Sequence, residues 1–324
     1  MKYIIHRIFL TVLFLAVLGQ ISAQNTNVRI ARFDKDFFQY LEKGSKKEEQ
    51  SLKKKYPDLL PAFFQIAQNN NNQAVDFATM KQYFAHPLLK TIYRDEVRLL
   101  ADLAASEESL TEASKLISNY FPTKKLPRLA MHVSGFKENI IYLDTLISIS
   151  GDKYMGSNYK NYQQFFSARE RFGMESKAIA RDLLKAWIIG GQVVKKDKDE
   201  NLLSAMIYEG KILFLLSKLL PEYSKSEIGL FMSADVEQFS NNKKLIWDNI
   251  VKNRTLFSTD RMLISEFIDE NPRSLPMAGK TPPQTGAMIG WEIVEQYAAQ
   301  TGITLQQVLN ADATTILKTV RYNP

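Results

Sequence analysis

The sequence predicts an α+β fold that is mainly helical, on three observations. Apolar residues recur at helical spacing through most of the 324-residue chain,. One shorter stretch, 126–150, is instead rich in β-branched and apolar residues with a break at Ser134-Gly135, which predicts a small antiparallel sheet. The composition, 45% hydrophobic and 24% charged, is that of a globular protein that can bury a core,. Since no linker-like composition divides residues 24–324, we expect one domain there.

The clearest helices lie at 175–220. Apolar residues from Ile179 to Ile188 follow the spacing of one helix, and those from Leu202 to Leu220 repeat the pattern. The glycine pair at 190–191 ends the first helix, and the charged run KKDKDE forms a solvated turn. We expect this helix pair to pack under the sheet, with helical layers on both sides. Near the end of the chain, Thr304 is expected to be the N-cap of a helix.

The spacing of this helix pair matches that of zinc peptidases with an HExxH motif. Such enzymes place two His one turn apart on a helix, a Glu beside the first His, and a third ligand on the next helix. The corresponding positions here hold Arg181, Asp182, Lys185 and Glu209, which cannot together bind zinc. We therefore predict a zincin-like helix pair with a degenerate site at these four residues, without catalytic residues, metal or cofactor.

Two cations on one helix face would attract carboxylates rather than a metal ion. We expect Arg181 and Lys185 to form an ion-pair cluster with Glu209 and Asp182 that ties the two helices together. The alternative is that both cations point into solvent, where ion pairs contribute little.

Other motifs exclude several chemistries. None of the three His residues, His6, His86 and His132, has a second His one turn away, which argues against catalytic zinc,. His132 is expected to be a packed residue of the sheet rather than a ligand. The tripeptide at 279–281 resembles the end of a phosphate loop, but Ser274 replaces the required glycine.

Composition narrows the function classes further. The chain has no cysteine, which excludes a disulfide framework and a thiol nucleophile,. Its net charge is +7, but the basic runs are mixed with acidic residues, so we expect a mildly basic surface and no nucleic-acid partner,.

Residues 1–23 have the pattern of a secretory signal peptide. Lys2 and Arg7 precede an apolar core of about a dozen residues, too short to span a membrane, and Ala23 ends a small-residue cleavage site. The alternative is an uncleaved N-terminal anchor. No later stretch reaches membrane-spanning length, so we expect an exported protein without a spanning segment.

Several sequence blocks together carry a family resemblance. The most specific is NYFPTKKLPRLAMHVSGFKENIIYLDTLISISGDKYMG at 119–156, and others lie at 31–38, 206–221, 247–260 and 289–324. In order and spacing these blocks resemble the gliding-motility protein B (GldB) family of Bacteroidetes-type bacteria, over almost the full mature length.

This resemblance implies a secreted protein with a zincin-like fold and no known enzyme activity. It also implies association with the cell envelope and with gliding or type IX secretion machinery. Typical members are lipoproteins with a Cys after the leader, and this chain departs from them because it has no Cys. We expect a periplasmic protein, peripherally associated with the outer membrane, that acts by binding partner proteins of that machinery.

Two alternatives remain open. One is a metal-independent hydrolase around Glu209, Asp182 and the Pro- and Gly-rich loop at 271–290. The other is a peptide- or glycan-binding module, which exposed aromatic residues such as Tyr154 and Tyr159 would indicate.

The state of the cleft distinguishes these alternatives. An open cavity lined by Glu209, Asp182 and His132 favours an enzyme. A cleft filled by other side chains favours a scaffold, and the expected ones are Arg181, Lys185 and Trp187.

Overall fold

The computed structural model describes residues 27–67, 76–137, 139–191, 193–277 and 280–324. The predicted signal peptide lies outside the described residues. The described part of the chain forms fifteen α-helices and four β-strands, which confirms the mainly helical α+β class. None of its helices is both long and apolar enough to cross a membrane.

Helices fill the chain before and after the sheet. The N-terminal helices are α1 Phe33–Lys43, α2 Lys46–Lys55, α3 Leu59–Phe64, α4 Phe77–Phe84, α5 Pro87–Leu99 and α6 Ala104–Tyr120. The C-terminal helices are α7 Ala168–Phe172, α8 Ala178–Gly190, α9 Leu202–Leu219, α10 Lys225–Gly229, α11 Ser233–Lys252, α12 Arg261–Ile268, α13 Thr285–Thr301, α14 Leu305–Asn310 and α15 Ala313–Val320. Thr304 caps α14 in a capping box with Gln307, as predicted,.

The sheet has four strands in the order β1-β2-β4-β3. β1 (Ile30–Arg32) pairs parallel with β2 (Arg128–His132), and β2 pairs parallel with β4 (Leu146–Ser150). Only the pairing of β3 (Ile140–Leu143) with β4 is antiparallel. The predicted all-antiparallel sheet is therefore wrong. β4 lies between β2 and β3, where it pairs parallel with β2 and antiparallel with β3.

β1 lies within residues 24–125, for which the sequence predicts helices joined by loops and no strand. Its three residues pair with Leu129, Ala130 and Met131, about a hundred residues further along the chain. A strand this short shows no clear alternation of its own, since its pairing is decided by distant residues. The remainder of the predicted helical region, up to Tyr120, is helical as expected in its described parts.

Alternate residues of the sheet face two separate apolar cores. Leu129 and Met131 of β2 pack into the large core with residues of α8, α9 and α13. Ala130, between them in sequence, packs into a smaller core rich in aromatic residues of α1 and α3, including Phe37 and Phe63. This is the period-two pattern of a sheet covered on both faces, and it confirms helical layers on both sides.

The predicted helix pair is present as α8 and α9. α8 ends where the Gly191 N–H donates to the carbonyl of Trp187 at 2.7 Å. α9 begins at Asn201, whose side chain caps the N–H of Ser204. α9 is buried almost all round and packs most extensively on α13, which begins at Thr285 and so shortens the predicted 271–290 loop.

Two glycines bring α9 and α13 into direct backbone contact. A Cβ placed on Gly290 would lie 1.8 Å from the carbonyl oxygen of Met206, and one on Gly210 would lie 2.3 Å from the carbonyl carbon of Gly290. Neither position therefore has room for a side chain without a shift of the backbone.

We predict that Gly290→Ala destabilises the protein by roughly 3 kcal/mol or more, since the added methyl would push two helix backbones apart. This would reverse the usual gain of about 0.5–1 kcal/mol when alanine replaces glycine in a helix. Urea unfolding followed by circular dichroism measures the change. Gln300→Ala, at an exposed site on the same helix, is the matched control. An unfolding free energy equal to or above wild type in Gly290→Ala would rule out this close contact.

Candidate functional site

Arg181 and Asp182 form an ion pair within one helix, α8. The Arg181 side chain is 3% exposed, and its Nη1 lies 2.5 Å from Oδ1 of Asp182. Its Nε donates to the carbonyl of Ile228 in α10 at 2.9 Å. The guanidinium is thus directed toward α10 rather than toward α9.

The predicted ion-pair cluster across α8 and α9 is wrong. Among the residues that the structure describes, no ion pair joins Arg181 or Lys185 to Glu209, and Lys185 and Glu209 are half-buried. The two helices are held instead by apolar side chains in the large core, such as Leu184 and Leu203. The interpretation of these four positions as a degenerate peptidase site stays a prediction.

Asp182 lies at the wall of a pocket of about 240 Å³ at the carboxyl end of β4. The pocket is formed by the segments next to β3 and β4, by α7 and α8, and by the loop before α13. Its polar lining residues are Asn139, Lys153, Tyr154, Arg169, Glu170, Asp182, Glu270 and Gln284. Of the four predicted site residues, only Asp182 lines this pocket.

Tyr154 holds Asp182 in place from the side of the sheet. Its hydroxyl lies 2.7 Å from Oδ2 of Asp182 and 3.3 Å from Oδ1 of Asn139. Burial raises the pKa of Tyr154 well above its usual value, and the negative charge of Asp182 adds to the effect,. Tyr154 is therefore a neutral hydrogen-bond donor, and Asp182 accepts from both Tyr154 and Arg181.

Tyr154 does not provide the exposed ring that would indicate a peptide- or glycan-binding module, because its side chain is 3% exposed. Tyr159 is half-buried and donates to Asp95 at 2.9 Å. Among the described aromatic residues that line the cleft, the exposed one is Phe172, at 38% exposure.

One wall of the pocket is fixed by a two-point ion pair. Arg169 of α7 contacts both carboxylate oxygens of Asp235 in α11, at 2.5 and 3.0 Å. The hydrogen bonds to Asp235 raise the pKa of Arg169. By contrast, Lys153 and Glu270 form no ion pair with any described residue. These two charges are thus available to groups that enter the pocket.

A second pocket, of about 540 Å³, continues from the first. The two share Gly173 and Leu230, so together they form a cleft along α7, α8 and α10. Leu230 has φ +52°, a left-handed conformation that is uncommon for a residue with a side chain,. The Lys177–Glu227 ion pair, at 3.3 Å, crosses between α8 and α10 in this second part.

The cleft is neither the predicted open cavity lined by Glu209, Asp182 and His132 nor the predicted cleft filled by other side chains. Glu209 and His132 do not line either pocket, and Trp187 is buried with its Nε1 donating to the carbonyl of Lys125 at 3.2 Å. His132 is packed, as predicted, with Nδ1 2.8 Å from Oγ of Ser148.

Three buried carboxyl groups lie at the carboxyl ends of the parallel strands. Asp34 follows β1 and pairs with Arg32, and Asp152 follows β4 and accepts from the N–H of Phe136 at 2.7 Å. Glu96 of α5 is fully buried, and neither of its carboxyl oxygens has a hydrogen-bond partner among the described residues. Burial raises the pKa of Glu96 well above its usual value, and the nearby charge of Asp34 adds to this,.

The neighbouring Gly151 has no room for a side chain, because a Cβ there would lie 2.2 Å from Oε1 of Glu96. Within the described ranges, no group of three or more His, Asp or Glu residues is placed to hold a metal ion.

The charged pocket residues Lys153, Arg169, Glu170 and Glu270 were missed by sequence reasoning. The sequence marks 152–156, which contains Lys153, and 271–290, which begins directly after Glu270, as loops. No signal in the sequence marks Arg169 or Glu170. Their convergence on α8 depends on tertiary packing that no local pattern encodes.

Fold and site together define a mainly helical α+β protein with a charged cleft at the carboxyl end of a small mixed sheet. The model of one protein family, described as gliding motility protein GldB, matches residues 18–324, and the chain belongs to this family. It is therefore a protein associated with gliding motility, and the family resemblance is confirmed. The name of the family model suggests a lipoprotein of the envelope.

No curated protein and no solved structure matches this chain. The zincin-like assignment of the fold consequently stays a prediction.

We predict that Glu96→Gln flattens the pH dependence of stability. Because its pKa is raised, Glu96 keeps its proton to a higher pH in the folded protein than in the unfolded chain, which loses the proton near pH 4.5. The stability contributed by this group is thus fully present below that pH and is lost as pH rises through the folded pKa. Between pH 4.5 and the folded pKa, the unfolding free energy of wild type should fall relative to that of the variant by about 1.4 kcal/mol per pH unit,.

Urea unfolding at several pH values between 5 and 8 tests this expectation. Glu108→Gln, at an exposed site of α6, controls for the loss of one negative charge. A constant difference between wild type and Glu96→Gln at every pH would contradict a protonated Glu96.

Proposed function

We propose that this chain is a non-catalytic envelope protein of gliding or type IX secretion-type machinery that acts by binding a protein partner. It would be exported to the periplasm and associate peripherally with the outer membrane. Family membership supports the setting. The observation that carries the binding role is an open sheet edge at β3, next to the charged cleft.

The opposite edge of the sheet, at β1, is covered. The N–H of Val28 donates to Oγ1 of Thr111, and the N–H of Ile30 donates to Oε1 of Glu107, both at 2.9 Å. These side chains of α6 take the place of a further strand. Covering an edge in this way prevents the pairing of the sheet with another chain.

The edge at β3 has no such cover. The Ser150 N–H donates to the Asn139 carbonyl at 2.8 Å. This bond shows which residues of β3 direct their backbone groups toward β4, because such residues alternate along an antiparallel pair. Ile140 and Tyr142 therefore direct their backbone N–H and C=O groups away from β4,. Among the described residues these groups have no hydrogen-bond partner. An extended segment of a partner would pair with them as a fifth strand.

The cleft begins where β3 begins. Asn139, directly before β3, lines the first pocket together with Lys153 and Glu270. A segment paired with β3 would continue into this pocket and present its own charges to these two residues. Because β3 offers only two outward residues, the strand pairing supplies orientation and the pocket supplies most of the selectivity.

The alternative of a metal-independent hydrolase draws on one observation. The carboxyl groups of Glu170, Asp182 and Glu270 line the same pocket, and two carboxyl groups suffice for acid–base catalysis,. Against this role, Asp182 already accepts from Arg181 and Tyr154, and Glu170 accepts from the N–H of Ser167 in a capping box. A glycan-binding role would use the same cleft, with Phe172 as the exposed ring.

We predict that Tyr142→Pro abolishes partner binding, since proline removes an outward N–H without breaking a bond to β4. The measurement is photo-crosslinking in envelopes of a gliding bacterium, with a photoreactive phenylalanine analogue in place of Phe172, an exposed ring of the cleft. The cross-linked partner, identified by mass spectrometry, should belong to the gliding or secretion machinery, and its yield should fall about tenfold or more in Tyr142→Pro.

The matched control is Tyr142→Val, which keeps the N–H but loses the ring that lies against Gly190. It should retain the cross-link. Equal yields in the proline and valine variants, or a product that contains no machinery component, would contradict binding through this edge.

The hydrolase alternative has its own test. We predict that the purified protein turns over neither peptides nor glycosides above the uncatalysed rate. Hydrolysis that Asp182→Asn lowers by about a hundredfold would replace the binding role with a catalytic one.

A further inference from the structure

The two most exposed large apolar side chains of the described residues lie close together in the chain, in what we call the 251–262 turn. This segment connects α11 to α12. Met262 is 70% exposed, Phe257 is 62% exposed and Val251 is 50% exposed. Of the twelve residues of the turn, all of which the structure describes, only Leu256 is buried. Large apolar side chains exposed together in one short segment are candidates for an interaction site.

The turn is held by its own backbone and side-chain hydrogen bonds. The Arg254 N–H donates to the Val251 carbonyl at 3.1 Å, and the Ser258 N–H donates to the Thr255 carbonyl at 3.0 Å. The carbonyl of Ser258 in turn accepts from the N–H of Leu202, which anchors the turn to the start of α9. Arg254 adopts a left-handed conformation with φ +57°. A backbone held in this way reduces the ordering cost when Phe257 binds.

The charges of the turn are mainly positive. Lys252, Arg254 and Arg261 are exposed, and none of them forms an ion pair with a residue that the structure describes. The acidic residue of the turn, Asp260, is engaged as the cap of α12, where it accepts from the N–H of Met262 at 2.9 Å.

Acidic residues in a neighbouring pocket partly offset the positive charge of the turn at Arg261. Arg261 lines a pocket of about 600 Å³ together with Asp199 and Glu200. Lys252 and Arg254 do not line that pocket, so we assign most of the electrostatic attraction to them.

We propose that the 251–262 turn inserts Phe257 and Met262 into an anionic phospholipid surface, with Lys252 and Arg254 at the headgroups. Apolar side chains beside unpaired cations are the pattern of segments that lie in the membrane interface. The apolar side chains do not line the adjacent pocket, as they would in a site for a small molecule,. The side chains of Val251, Phe257 and Met262 also cover much less than the roughly 800 Å² that each partner buries in a stable protein interface, which argues against a protein as the occupant.

The contact is independent of the open edge at β3. It would add a second, reversible attachment to the membrane, because a few apolar side chains alone bind lipid weakly and gain from nearby cations.

A tryptophan at position 257 reports insertion directly. The three natural tryptophans, Trp187, Trp247 and Trp291, are each no more than 6% exposed, so Phe257→Trp adds the exposed one. The experiment mixes the full chain with phosphatidylcholine vesicles with or without phosphatidylglycerol. A local probe is needed because the apolar segment within residues 1–23 can itself bind lipid.

We expect the Phe257→Trp emission to shift to the blue and to be quenched by spin-labelled lipid, in vesicles with phosphatidylglycerol. Val236→Trp, 37% exposed and at the other end of α11, is the matched control and should be neither shifted nor quenched. Replacing Lys252, Arg254 and Arg261 by Gln in the Phe257→Trp background should weaken the lipid-dependent signal by about a hundredfold in apparent affinity.

Three outcomes would overturn the proposal. These are no shift with either vesicle, equal quenching at 257 and 236, and a signal that the triple Gln variant leaves unchanged. A blue shift that grows with protein concentration in the absence of vesicles would also overturn it, since the turn would then be a contact between copies of the chain.

Discussion

The backbone contact between α9 and α13 is the constraint on which the rest of the structure depends. It exists because Gly210 and Gly290 face each other and leave no space for a Cβ. With the two helices this close, α9 is surrounded by protein and carries apolar residues on almost every side, as expected of a core helix,. Lys211, next to the contact, is 1% exposed, and its ammonium group donates to the carbonyl of Ala311 at 2.5 Å. This hydrogen bond connects α9 to the C-terminal helices. Burial lowers the pKa of Lys211, which is the electrostatic cost of that connection,.

The position of α8 follows from this core. α8 lies between α9 and the sheet, with Leu183 and Leu184 in the large core. Asp182, beside them in sequence, therefore faces the edge of that core, where the segments after β4 approach. There Tyr154 and Arg181 both donate to it. Because Asp182 accepts from two donors, its carboxylate has a fixed position in the lining of the cleft. The same two hydrogen bonds reduce its capacity to accept a proton from a substrate.

Local patterns were sufficient for the helices and insufficient for everything that depends on pairing. The periodicity of residues 178–219 and the cap at Thr304 act over a few residues, so the sequence predicts them well. The strand at Ile30–Arg32 and the parallel pairing of β2 with β4 depend on distant partners, so they were missed. The ion-pair prediction failed for the same reason. Spacing places Arg181 and Lys185 on one face, but the carbonyl of Ile228 decides where the guanidinium points.

The proposed pairing of a partner strand with β3 needs none of the side chains of a metallopeptidase. Pairing with an added strand uses backbone N–H and C=O groups, which do not depend on the side chains at Ile140 and Tyr142. Catalysis by a metal site depends on side-chain identity at each ligand position, and Arg181 and Lys185 are not ligands. The side chains at these two positions therefore bear on metal binding and not on the hydrogen-bonding groups of the strand edge. The covered edge at β1 adds to this argument, because α6 closes the one side where pairing would compete with β3,.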